Sequence, residues 1–157
     1  MQILIDADSC PREARKMVMR FAVRLGIKAI FAANRLIPEI HNRSKKSELI
    51  AMELCPLGEN EADKHIVALA RPGDLVLTRD LPLAEQLIEA GVAVLDDRGR
   101  VFTKENIREY RSLRDFKVGL AENNLGVERS PSYGKNELKL LANSLDRELT
   151  RLLKRIC

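Results

Sequence analysis

Short apolar runs alternate along the chain with longer stretches in which apolar residues recur every three or four positions. Ile3–Ile5 is the first run, rich in β-branched residues, and predicts a buried strand. Ala14, Met17, Val18, Phe21 and Leu25 then share a helical face, with Gly26 as a C-terminal stop. Lys28–Ala33 predicts a second strand. Arg35–Ser47 is polar and basic, carries Pro38, and reads as a loop. Leu49–Leu54, closed by Pro56, predicts a third strand. Glu61–Ala70 predicts a helix with Ala62, Ile66, Leu69 and Ala70 on one face, broken at Pro72-Gly73. Asp74–Thr78 holds Leu75-Val76-Leu77, a fourth strand. Pro82 suits the first turn of a helix faced by Leu83, Ala84, Leu87 and Ile88, and Gly91 ends it. Val92–Leu95 predicts a fifth strand. Helical patterns follow over about 104–122 and 133–155, the second with a long apolar stripe from Leu138 to Ile156.

Strands alternating with helices imply an α/β protein, a parallel sheet of about five strands covered on both faces. Residues 1–157 read as a single domain, with a C-terminal helical extension at about 133–157. No repeat or interdomain linker interrupts it. In such sheets ligands sit at the carboxyl ends of the strands, near the switch point in strand order.

Composition narrows the class. Apolar residues are 45% of the 157, enough for a real core, while aromatics are only 4% and Trp is absent, so the core is aliphatic. No apolar run is long enough to span a bilayer, and no basic-then-apolar leader opens the sequence. Cys10, Cys55 and Cys157 are widely spaced and read as reduced thiols, which with the missing leader suggests a cytoplasmic protein. The absence of a CxxC pair and the distance between the two histidines argue against zinc. Charge is uneven: residues 1–97 carry 13 basic and 15 acidic side chains, residues 98–157 carry 14 and 8. An acidic-leaning first part and a basic tail suit an acidic centre beside a phosphate-binding surface, or simply a solvated helical tail.

The acids gain meaning from the strand reading. Asp6 and Asp8 follow strand one, Asp80 follows the Leu75–Thr78 strand, and Asp96 and Asp97 follow strand five. Asp63 begins a helix that runs back toward the amino edge, so it starts at the same carboxyl edge. Carboxylates converging in one cleft repel unless some are protonated or a divalent cation sits among them. An oxygen-only donor set selects Mg2+ or Mn2+, ions that activate a water and offset charge in phosphodiester displacement. Plain structural roles compete: Asp8 or Ser9 as cap of the helix after Pro11, Asp63 as part of a capping-box-like start three residues after Asn60, Asp80 as a helix-start residue, Asp96-Asp97 as a turn. Asp6 is the hardest of them to dismiss, because an acid ending a buried strand gains nothing structural by itself. Thr78 could support an acid or a phosphate, or merely end a strand; His65 reads as a surface or boundary residue and Cys10 as a small buried side chain.

Two basic stretches stand near these acids in the predicted arrangement. Arg35, Arg43, Lys45 and Lys46 read as a loop at the carboxyl end of strand two. Arg98, Arg100, Arg108, Arg111 and Arg114 form the second stretch. Both could hold phosphates. The scarcity of aromatics argues against sequence-specific reading of single strands.

The segments "IDADSCP" at 5–11, "EADKHIV" at 61–67, "GDLVLTRDLPLAEQLIEAGV" at 73–92 and "NIREYRSLRDF" at 106–116, taken together and in order, resemble the bacterial YaiI/YqxD family. That uncharacterised family is grouped with PIN-like domains, so the resemblance implies a PIN-like three-layer α/β/α sandwich. PIN domains are typically metal-dependent ribonucleases with a carboxylate cluster. By that likeness Asp6 matches the acid after strand one, Asp63 the acid opening the mid-chain helix, Asp80 the acid of a T-x-D element and Asp8 the family's own second acid. Relatives often carry an Asp where this chain has Asn60, and a Gly-Gly-Pro segment where it has Glu128-Arg129-Ser130-Pro131.

Three functions are weighed. The first is a Mg2+- or Mn2+-dependent nuclease acting on RNA, with Asp6, Asp63 and Asp80 as ligands and Asp8 as ligand or water-orienting base. Thr78, Asn60 and Asp97 support it, and Arg35, Arg43, Lys45, Lys46, Arg98, Arg111 and Arg114 hold the strand. The second is a non-catalytic PIN-like module binding RNA or protein. The third is a haloacid-dehalogenase-like phosphatase, in which "ILIDADS" would supply a nucleophile and Gly73-Asp74 a later acid, although Asp74 precedes its strand instead of following it. A dinucleotide enzyme is disfavoured because strand one leads into Asp-Ala-Asp and not a glycine-rich loop. A membrane partner is not expected, and the oligomeric state, a homo-oligomer included, stays open.

Overall fold

The computed structural model describes residues 1–122 and 132–156. Its elements follow the order β1 (Gln2–Asp6), α1 (Arg12–Leu25), β2 (Lys28–Ala33), α2 (Pro38–Ser44), β3 (Ile50–Leu54), α3 (Glu61–Leu69), β4 (Leu75–Leu77), α4 (Leu81–Glu89), β5 (Ala93–Leu95), β6 (Val101–Phe102), α5 (Ile107–Glu122) and α6 (Lys135–Ile156). The strands form one sheet in the order β3-β2-β1-β4-β5-β6. β1 to β5 are parallel, with Leu4 opposite Ile30 on one side and Val76 on the other. The five predicted strands are all present; β6 adds a sixth, antiparallel to β5. Two residues are too few to show a period, so the sequence pattern hid it.

Alternation of side chains along each strand divides the core into two halves. Ile3, Ile5, Phe31 and Leu77 face α1, α2 and α6. Leu4, Ile30, Val76 and Val94 face α3, α4 and the start of α5. The result is a three-layer α/β/α sandwich. In α6, Leu141, Leu145, Leu149 and Leu152 lie on one buried stripe, so the C-terminal helix is part of the first helical layer. Gly26 ends α1 in the left-handed conformation, its N–H bonded to the last turn. Gly99 is required twice over: its φ is +83°, and a Cβ there would meet the Leu140 carbonyl oxygen at 2.5 Å. That contact seats α6 on the β5–β6 turn, where Ser144 Oγ donates to the Gly99 carbonyl at 2.6 Å.

The Arg35–Ser47 stretch is the main correction. It is not a loop: Pro38 begins helix α2, where its missing N–H costs nothing, and Ile37 and Ile40 bury against the core. A helix following β2 runs back toward the amino edge. Arg43, Lys45 and Lys46 therefore end up beside Ser47–Ile50, whose Leu49 carbonyl accepts from Ala29 at the start of β2. They lie at the amino edge, not at the carboxyl edge expected from the loop reading. Cys10 and Cys55 are free and buried; Cys157 and Glu128-Arg129-Ser130-Pro131 lie outside the described residues.

Candidate functional site

The strand order reverses between β1 and β4: the chain moves from β1 outward to β3, then returns to the other side of β1. The crevice beyond the carboxyl ends of β1 and β4 is the topological switch point, where open α/β sheets bind ligands. Asp6 is the last residue of β1, and Asp80 follows β4 by three residues. Asp63, in the first turn of α3, faces the same crevice: Asp63 and Asp80 line a common cavity of about 580 Å3 with Asn60, Lys64, Gln86 and Arg114.

Each acid is positioned by a local device. Asp6, 9% exposed, accepts from Ser9 Oγ at 3.1 Å and Thr78 Oγ1 at 3.4 Å, both on Oδ2. The same Thr78 oxygen accepts the Asp80 N–H at 3.1 Å, so one hydroxyl ties the end of β1 to the turn before α4. Asp80 is the N-cap of α4, its Oδ1 accepting the Leu83 N–H at 2.9 Å. Asn60 precedes α3 in a left-handed conformation (φ 63°) and makes no side-chain cap. Asn tolerates that conformation better than most other side chains, which suits the Asn found there.

Electrostatics couples the three acids. Burial raises the Asp6 carboxyl above its usual range; its two hydroxyl donors pull it down, and Asp8 and Asp80 push it up. The Asp63 carboxyl is pushed up to about 6, first by burial, then by the charges of Asp80 and Asp6 and by a hydrogen bond shared with Asp80. Asp8 is set apart. Its Oδ2 accepts the Asn34 N–H at 2.7 Å, and Oδ1 lies 3.7 Å from Arg35 Nε. It pins the β2–α2 connection, while its charge still reaches Asp6. The loop carrying both acids is further held by Arg15, which donates to the Cys10 carbonyl at 2.7 Å and pairs with Glu39 of α2.

Asp96 and Asp97 serve the neighbouring turn. Asp96 accepts the N–H groups of Arg98 and Arg100, each at 2.9 Å, and pairs with Arg100 Nε at 2.7 Å. Asp97 is 2% exposed and pairs with Arg79 Nε at 2.5 Å, while its Oδ1 has no hydrogen-bond partner among the described residues. Burial raises its carboxyl above the usual range, against the pull of Arg79. The Cys10 thiol is buried and pushed up to about 12, chiefly by that burial, which disfavours the reactive thiolate. Asp74 sits at the far, amino edge, bonded to Gln2 and Arg71 N–H groups, so it does not meet Asp6 as the phosphatase reading would need. His65 faces Glu53 at 3.3 Å, away from the acids.

Of the basic residues, Arg114 lines the acid cavity, Arg98 lines a neighbouring cavity, and Arg111 is paired with Glu85. Arg35 is at the carboxyl edge beside Asp8. Sequence reasoning missed Arg79, Arg15 and Tyr133, whose hydroxyl donates to the Asp97 carbonyl at 2.7 Å. Their signal is purely tertiary: each reaches a partner remote from its own motif.

The donor set fits a hard divalent cation in its chemistry, being carboxylate oxygen at a point of concentrated negative charge. Among the described residues, no three Asp, Glu, His or Cys side chains already stand close enough to share one ion. No described helix is long and apolar enough to cross a membrane.

Known proteins give a consistent context. The chain is 44% identical to the UPF0178 protein of Treponema pallidum (strain Nichols) over 154 residues, covering 98% of this chain and 84% of that one. Identity to the UPF0178 protein of Treponema denticola is 40%, with 98% and 95% covered, and to that of Myxococcus xanthus (strain DK1622) 38%, with 98% and 97% covered. No solved structure matches. The model of the uncharacterised bacterial YaiI/YqxD family matches residues 4–151, and the chain belongs to that family.

Proposed function

We propose that the protein is a divalent-metal-dependent nuclease that hydrolyses RNA at the crevice beyond β1 and β4. The observation that carries this reading is that Asp6, Asp63 and Asp80 come from three separate elements to one crevice at the switch point, where burial and their mutual charge raise the Asp6 and Asp63 carboxyls. Concentrating unneutralised acid at a switch point is costly to folding, which argues for a function that uses it. Asp6, Asp63 and Asp80 would hold Mg2+ or Mn2+, and the ion would supply charge neutralisation on the phosphodiester and a water of lowered pKa. As a ligand of the ion, Asp63 would act with Asp6 and Asp80 to fix where the attacking water is held. Thr78 acts by position, fixing Asp6 and the Asp80 backbone at once. Arg114, at the rim of the acid cavity, holds a phosphate of the strand. Asp8 orders the connection beside Asp6.

Purified protein given Mn2+ is expected to cut single-stranded RNA, and Asp6→Asn to abolish the products. Products at the wild-type rate from Asp6→Asn would assign the cleavage to a contaminant and sink the reading. A second reading, a non-catalytic RNA-binding module, is favoured by the absence of three ligands already within reach of one ion among the described residues. It predicts RNA binding with no product after long incubation with metal.

A further inference from the structure

A second cavity, of about 540 Å3, opens beside the acid cavity and shares Arg114 with it. Between them lie that side chain and the first turn of α4: Leu81 lines one cavity, Pro82 and Leu83 the other. Its volume lies within the range of small-molecule sites. Five cationic side chains line it against two acidic ones. Asp96 is engaged by Arg100 and two backbone N–H groups, and Asp97 by Arg79 through Oδ2 alone. Arg114 and Lys117, three residues apart on α5, are exposed and have no ion-pair or hydrogen-bond partner among the described residues. They are the wall's uncommitted charges.

The rest of the wall is not that of a simple anion site. Tyr110 packs edge-on to Phe102 with ring centroids 5.4 Å apart, and the Arg100 guanidinium lies 5.4 Å from the Tyr110 centroid. Asp96 holds Arg100 in that position. A guanidinium fixed beside an aromatic ring offers a plane on which a base can stack, and Arg100 and Tyr110 supply that plane in this wall. Leu81, Leu113 and Val118 add apolar surface. Inorganic phosphate would use the two cations and leave this surface unused.

We infer that this cavity is a nucleotide subsite, taking one nucleotide of the strand, with its phosphate on Arg114 and Lys117 and its base against Arg100 and Tyr110. The inference rests on the nuclease reading only in making that nucleotide the neighbour of the bond that is cut. The test is titration of UMP and AMP, uridine and inorganic phosphate, into the full chain in EDTA. Nucleoside monophosphates are expected to bind about tenfold more tightly than phosphate or nucleoside alone, and Lys117→Ala to weaken them about tenfold, the loss of one charge-assisted contact. Arg43→Ala/Lys46→Ala, at the other edge of the sheet, is expected to bind like wild type. No saturable binding of UMP or AMP, affinity no better than for phosphate, or wild-type binding by Lys117→Ala would each overturn the subsite. Nucleotide binding that responds to Lys117→Ala, with no RNA product in Mn2+, would instead sink the nuclease reading and leave the subsite standing.

Discussion

Two buried aspartates stand at opposite edges of the same sheet. Asp74, 5% exposed, precedes β4 at the amino edge; Asp6, 9% exposed, ends β1 at the carboxyl edge. Asp74 receives the Gln2 N–H at 3.1 Å, Gln2 Nε2 at 3.2 Å and the Arg71 N–H at 2.9 Å. Those donors stitch the start of β1 to the turn before β4. Among the described residues Asp6 receives two hydroxyls, and burial, with the nearby charges of Asp8 and Asp80, raises its carboxyl against the pull of those hydroxyls. An acid buried among N–H donors holds architecture together. An acid buried among acids strains it, which is why our proposal places the chemistry at Asp6.

Substitution at these positions should separate the two roles. Asp6→Asn is expected to reduce Mn2+-dependent RNA cleavage at least about a thousandfold, some 4 kcal/mol of barrier, with the melting temperature unchanged or raised. Asp74→Ala should do the reverse. It leaves two backbone N–H groups without their acceptor at a cost of about 3 kcal/mol, lowering the melting temperature by roughly 6–12 °C, while cleavage below that temperature persists. Calorimetry and a gel assay on the two variants check both.

Asp63→Asn sharpens the contrast, since one change should raise stability and remove activity. The Asp63 carboxyl binds its proton up to about pH 6 in the folded protein, whereas in the unfolded chain it releases it near 3.8. The folded state thus holds the extra proton between those values, and stability falls as pH rises through that window and then levels off. Because the side chain is partly exposed, the gain for Asp63→Asn at pH 7 is discounted to roughly 1 kcal/mol, and it should vanish below about pH 4. Melting curves at pH 3.5 and 7 measure it. The smallest effect belongs to Arg43→Ala/Lys46→Ala, expected to leave RNA affinity unchanged because those side chains lie at the amino edge. A filter-binding or anisotropy titration showing weakened binding would contradict that placement of the strand.

Much of this was legible in the residue pattern, for reasons visible in particular elements. The apolar runs of β1, β2 and β4 are buried on both faces, so their composition reveals them, and strand polarity then puts Asp6, Asp80 and Asp63 at one edge. What stayed hidden is tertiary or too short. Pro38 reads as a breaker unless Ile37 and Ile40 are known to have a core to enter, and mistaking α2 for a loop carries Arg43, Lys45 and Lys46 to the wrong edge. β6 is two residues long. Asp8 follows Asp6 by two, yet only the fold shows it accepting the Asn34 N–H. Of the cavity that joins β5–β6 to α5, the basic stretch with Arg98, Arg100 and Arg114 was legible, but not its closure by Arg79, Tyr110 and Lys117.

The most direct test of the central claim is anomalous scattering from crystals soaked in Mn2+. The account predicts a manganese peak in the crevice bounded by Asp6, Asp63 and Asp80, absent from Asp6→Asn crystals treated alike. No peak in that crevice at high Mn2+, or one equally strong in Asp6→Asn, would contradict it.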